Sequence, residues 1–142
     1  MCVPDKKRFW RRRRGAEILE MSMALSVLLT LIFGGVEFGY FVFVKHAIQA
    51  ATREGARTAV LVGSTNANVN TVITNSMTNA GLAGSGYTIA TSPTDITTAA
   101  SGTPITVTVK CTWGVVGQGV RPLSLISASK AMTVTVVMLK EG

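Results

Sequence analysis

The chain has one histidine, seven acids, two cysteines and four prolines in 142 residues, and each shortage removes a class of chemistry. With only His46, there is no His-rich set of metal ligands and no imidazole base for a serine or threonine nucleophile. Ser and Thr are abundant between residues 64 and 112, but with no histidine near them they read as strand and loop formers. No glycine-rich loop has the spacing of a phosphate cradle. We therefore expect no enzyme, no cofactor, no metal and no small-molecule substrate. His46 itself reads as an exposed, inert side chain. Cys2 precedes the apolar stretch rather than following it, so it is no lipobox cysteine and reads as an incidental thiol. Cys111 alternates with apolar neighbours and reads as a buried small hydrophobe.

What is present is charge at one end. Seven cations (Lys6, Lys7, Arg8 and Arg11 to Arg14) face only Asp5 in residues 1–15, a net of +6 out of the chain's +7. The high pI of about 10.0 thus describes a short leader. These cations abut an apolar helix and have only Phe9 and Trp10 beside them, so nucleic-acid binding is not expected. Positive-inside topology accounts for them: the N-terminus stays in the cytoplasm and the rest crosses. Residues 21–44 follow with a single charge, Glu37. That is long enough for a hydrocarbon core, which needs about 20 helical residues. The run is longer than the apolar region of a secretory signal and no A-x-A site follows it, so a cleaved signal peptide is disfavoured.

Beyond the apolar run the helical pattern continues unbroken. Val44, Ile48, Ala51, Gly55, Ala59 and Val62 recur three or four residues apart and form a narrow stripe of mostly small side chains. One helix is predicted over about residues 17–62, ended by Gly63-Ser64-Thr65-Asn66, which also supplies a cap for a second helix. In that helix Val69, Val72, Ile73, Met77 and Ala80 share a face, and Gly81 suits its C-terminal cap. The period then changes to two. Ile105, Val107, Val109, Cys111 and Trp113 alternate with Thr106, Thr108, Lys110 and Thr112, and Met132, Val134, Val136 and Met138 repeat the pattern. Residues 87–91 form a shorter candidate strand, and 92–103 and 114–129 read as loops. The expected class is α+β: a long helix, lipid-embedded in its first half, packed by its second half on three antiparallel strands with one additional short helix. The expected organisation is a basic leader at 1–15, a transmembrane helix at 16–44 and a head at 45–142.

Three landmarks in order carry a specific resemblance. Arg12-Arg13-Arg14-Gly15-Ala16 leads to Glu20; Gly35-Val36-Glu37-Phe38-Gly39 follows; then comes Ala51-Thr52-Arg53-Glu54-Gly55-Ala56-Arg57. Together they resemble the N-terminal region of TadE-like proteins, minor pseudopilins of the tight-adherence (Tad, type IVc) pilus system in the type IV pilus superfamily. The resemblance covers about residues 11–62, and Met21 departs from the aromatic that usually follows the acid. It implies a pilin-like fold and cutting between Gly15 and Ala16 by a prepilin peptidase. It also implies a Glu20 carboxylate that meets the new Ala16 amine of a neighbouring subunit. The implied partners are other pilins, pilus platform proteins and the peptidase. The implied location is the cytoplasmic membrane, with the head outside it and possible incorporation into a pilus. Once the leader leaves with Cys2, Cys111 stands alone and no intrachain disulfide can form.

Several roles stay open at this level. Glu20 either registers assembly or snorkels from the helix N-terminus to the headgroups. Glu37, within the Gly35-x-x-x-Gly39 spacing, either lies at a helix-packing or partner contact or reaches water at the outer interface. The Arg53-Glu54-Gly55-Ala56-Arg57 motif reads as a solvated helix face with a glycine where a strand crosses. For the chain as a whole, the alternative to an assembling pilin is an unprocessed single-pass anchor that presents a small binding head.

Overall fold

The computed structural model describes residues 6–142, with side chains from residue 15 onward. Cys2, Asp5 and the side chains of the basic leader, including Phe9 and Trp10, lie outside the described residues. The first element, α1 (Lys6–Val60), is a helix of 55 residues, about 83 Å long at 1.5 Å per residue. It starts well before the expected residue 17, because nothing after Pro4 forces a break and an interior glycine such as Gly15 costs a helix only about 1 kcal/mol. It ends two residues short of expectation. Val62 therefore falls outside the stripe and is exposed, while Val60 takes the last buried place. Val44, Ile48, Ala51, Gly55 and Ala59 are buried as the spacing predicts, and Thr52 and Ala56 widen the face. Thr52 is admitted because its hydroxyl donates to the Ile48 carbonyl at 2.7 Å.

Helix α2 (Asn66–Asn79) folds back on α1. Thr65 caps it by accepting the Asn68 N–H, and Gly81 takes the left-handed conformation (φ 74°) just past the end. Val69, Ile73 and Met77 form its buried face. Where the two helices cross, a Cβ on Gly55 would stand 2.5 Å from Ile73 Cδ1. The close neighbour of Gly55 is therefore a helix, not the expected strand.

Three strands, β1 (Thr88–Ser92), β2 (Pro104–Thr112) and β3 (Ala131–Leu139), form an antiparallel sheet in the order β1-β2-β3. Ile105, Val107, Val109 and Cys111 of β2 point inward, and Met138, Val136, Val134 and Met132 lie opposite them on β3. Each such side chain contributes about 1.5–3 kcal/mol when fully buried. Burial pushes the Cys111 thiol up to about 11, so it carries no thiolate at neutral pH. Trp113 continues the inward face but is not a strand residue. It opens a single turn, α3 (Trp113–Val116), and is fully buried. The loop at 92–103 contributes Ile96 to the core. Asn66 holds it there, donating to the Thr94 carbonyl and accepting the Ile96 N–H.

Candidate functional site

Three parts of α1 carry the residues singled out by sequence, and the fold treats each differently. In the first part, Gly15, Ala16 and Glu20 are exposed on a stretch of α1 that no other described element covers. Among the described side chains Glu20 has no partner. The bare region extends through residue 33, with Ile18, Met23, Val27, Leu28 and Leu31 all exposed. This helix is long and apolar enough to cross a membrane.

The second part begins at Gly34, where the loop at 117–126 comes down on the helix. A Cβ on Gly34 would stand 3.2 Å from Leu125 Cδ1. Glu37 is fully buried beneath this loop. Its Oε1 accepts the Ile126 N–H at 3.1 Å, and the backbone N–H groups of Leu123 and Leu125 and the Arg121 guanidinium face the same carboxylate. Ser124, between them, has φ 51°, a conformation uncommon for a residue with a Cβ. A left-handed residue beside ordinary ones turns successive amides toward one point, which is how a backbone concavity holds an anion. Arg121 secures the turn by donating from Nη2 to the Ile126 carbonyl at 3.1 Å. The acid is thus enclosed by its own chain and partnered at Oε1, while its buried Oε2 has no hydrogen-bond partner among the described residues.

Gly35 and Gly39 are on the other side. Two residues correspond to about 200° around a helix, so the glycines lie nearly opposite Glu37, exposed and with open space above each. Phe38, 63% exposed, flanks them. One turn further on, Tyr40 and Phe41 pack on Trp113, with ring centroids 5.9 and 5.1 Å away, and Val44 is fully buried. The last turns of the apolar run are therefore core of the head. The stretch left bare or nearly so is residues 16–36, 21 residues and about 31 Å, close to the roughly 30 Å of a hydrocarbon core.

In the third part Arg53, Glu54 and Arg57 are exposed, whereas Gly55 and Ala56 are buried against α2 and the core. The motif combines a solvated face with a tight helix crossing. His46 is exposed. Among the described residues no three of His, Cys, Asp and Glu come together as metal ligands.

Two features escaped the sequence. Arg121, Leu123, Leu125 and Ile126 sit in a segment rich in Gly, Pro and Ser, and only the apolar residues among them hint at packing. Lys140 is buried and donates from Nζ to the carbonyls of Leu61 at 3.1 Å and Ala59 at 3.4 Å, while the Glu141 N–H donates to the Val60 carbonyl. The end of the chain thus caps the end of α1, and a cation there also complements the helix dipole.

With this geometry in hand, the comparisons are specific. Residues 15–57 match the family described as TadE-like protein, which bears out the resemblance read from the sequence. The match opens at Gly15, includes Glu20 and the Gly35-x-x-x-Gly39 segment, and closes at Arg57. No curated protein and no solved structure matches the chain.

Proposed function

We propose that the chain is a minor pilin or pseudopilin that inserts in the cytoplasmic membrane, is cut between Gly15 and Ala16 by a prepilin peptidase, and takes part in assembling a Tad-type pilus. The observation that carries this reading is the bare helix at 16–36 with Glu20 near its inner end. A carboxylate drawn into a membrane is costly, of the order of 2.5–3.5 kcal/mol on insertion scales, and none of the described side chains partners it. Cutting at Gly15 removes the +6 leader and creates an amine on Ala16, a charge of the right sign at the right depth. In the resembling family that amine belongs to a neighbouring subunit and sets the register.

The glycine seam supports the same reading. Because the loop has claimed the Glu37 side of α1, Gly35 and Gly39 remain open for close approach of a second helix, from another pilin or from the platform. The head then stands beyond the outer face of the membrane.

Mass spectrometry of the protein from membranes with active prepilin peptidase should find a chain beginning at Ala16. Glu20→Ala should still insert, since the helix loses only a charge, but should fail to enter pili or to crosslink to other pilins. Recovery of the full-length leader, together with normal piliation by Glu20→Ala, would leave the unprocessed anchor as the better account.

A further inference from the structure

We propose that the loop at 117–126 is a foot that rests in the outer leaflet of the bilayer, with Leu123 and Leu125 at the acyl boundary and Arg121 beside them, its side chain reaching up to the lipid phosphates. The inference rests on reading α1 as membrane-spanning and goes beyond it, because it assigns lipid contact to a part of the head.

The argument is one of level. The loop does not stop at Glu37 but continues down the helix: Gln118 to Pro122 enclose a shallow cleft with Ile32, Phe33 and Val36. Ile32 is five residues below Glu37, about 7.5 Å along the axis. The bare stretch has little length to spare for a hydrocarbon core, so Ile32 and Phe33 must lie within it or at its edge. Whatever flanks those two residues lies there too.

The foot has the chemistry for that depth. The Ile126 amide is bonded to the Glu37 carboxylate and those of Leu123 and Leu125 face it, which lowers the cost of bringing irregular backbone to a membrane. With the backbone turned in, the side chains are turned out. Leu125 is 64% exposed and Leu123 is 36% exposed, whereas Ile126 at the loop's end packs on the core. Arg121 is half-buried at the edge of the cleft, one Nη2 bond holding it to Ile126 and its buried Nε without a partner among the described residues. A long cationic side chain beside apolar residues is the arrangement that anchors a segment at a headgroup layer.

Tryptophans added one at a time to the full chain, reconstituted in vesicles of phosphatidylcholine brominated near the headgroup end of the acyl chains, test this. Leu125→Trp, and Leu123→Trp as a second reporter, should add a blue-shifted emission that the bromolipid quenches several-fold more than the parent's own tryptophans. Val27→Trp, which falls near the bilayer midplane, reports on the spanning helix in parallel vesicles brominated near the ends of the acyl chains. Asn70→Trp, exposed on α2 and far up α1 from Glu37, should stay unquenched. If Val27→Trp is quenched while both loop reporters behave like Asn70→Trp, the foot is overturned and the anchor stands. If Val27→Trp is itself unquenched, both fall. Blue shift without quenching that grows with the protein-to-lipid ratio would assign the loop to a second copy of the chain and overturn the lipid contact.

Discussion

Gly55 shows how one missing side chain sets an element's place. Its α-carbon is where α2 comes nearest to α1, and the atoms in the way of a Cβ belong to Ile73, which is fully buried and has nowhere to move. Gly55→Ala should lower stability by about 1–3 kcal/mol through overpacking, offset in part by up to about 1 kcal/mol of helix propensity. Thermal unfolding of the detergent-solubilised chain measures it, and adding Ile73→Val, which removes Cδ1, should recover part of the loss. A melting temperature as high as the parent's would show that the crossing is looser than described. At the same scale, Glu37 and Glu20 are chemically alike yet differently provided for. One is buried beneath the 117–126 loop and accepts the Ile126 N–H, and the other is exposed on a bare helix. This difference is why the proposed assembly contact falls on Glu20 and not on Glu37.

Among elements, α1 is the organiser and its far end is the vulnerable point. The last carbonyls of any helix lack internal partners, and here Lys140 and Glu141 supply donors from the other end of the head. Lys140→Met keeps the buried stem but removes the ammonium. It should cost about 1.5–3 kcal/mol, the range for a hydrogen bond to a charged group, and should speed amide exchange in the last turn of α1 and in β3, to whose end Lys140 is attached. Unchanged exchange at both places would mean that water replaces the lysine without loss. The strands were easier to foresee than their neighbours, because period-two alternation in β2 and β3 is a local signal. Trp113 fits that alternation, but as a side chain rather than as backbone. Its inward direction follows the pattern, and its helical turn is imposed where Tyr40 and Phe41 come to meet it.

For the whole molecule, the leader's seven cations and the apolar helix predict that the head lies outside the cytoplasmic membrane. Alkaline phosphatase joined after Gly142 should be active, and a stable but inactive fusion would reverse the topology. The basic leader, the membrane-length helix, the stripe at 44–59, the capped second helix and the alternating strands could all be read from residues alone, as could the motifs of the TadE-like match. They are legible because charge density, hydropathy and periodicity are properties of neighbours along the chain. The enclosure of Glu37 joins residues 89 apart, and the Lys140 cap joins residues 79 apart at Leu61. No local pattern encodes either. A carboxylate in an apolar run could face lipid, water or a partner, and a lysine after a strand could be solvated. Only the packing of head against helix decides that one acid is closed in by the 117–126 loop, that the glycine seam opposite it stays free, and that the bare helix ends at the thickness of a membrane.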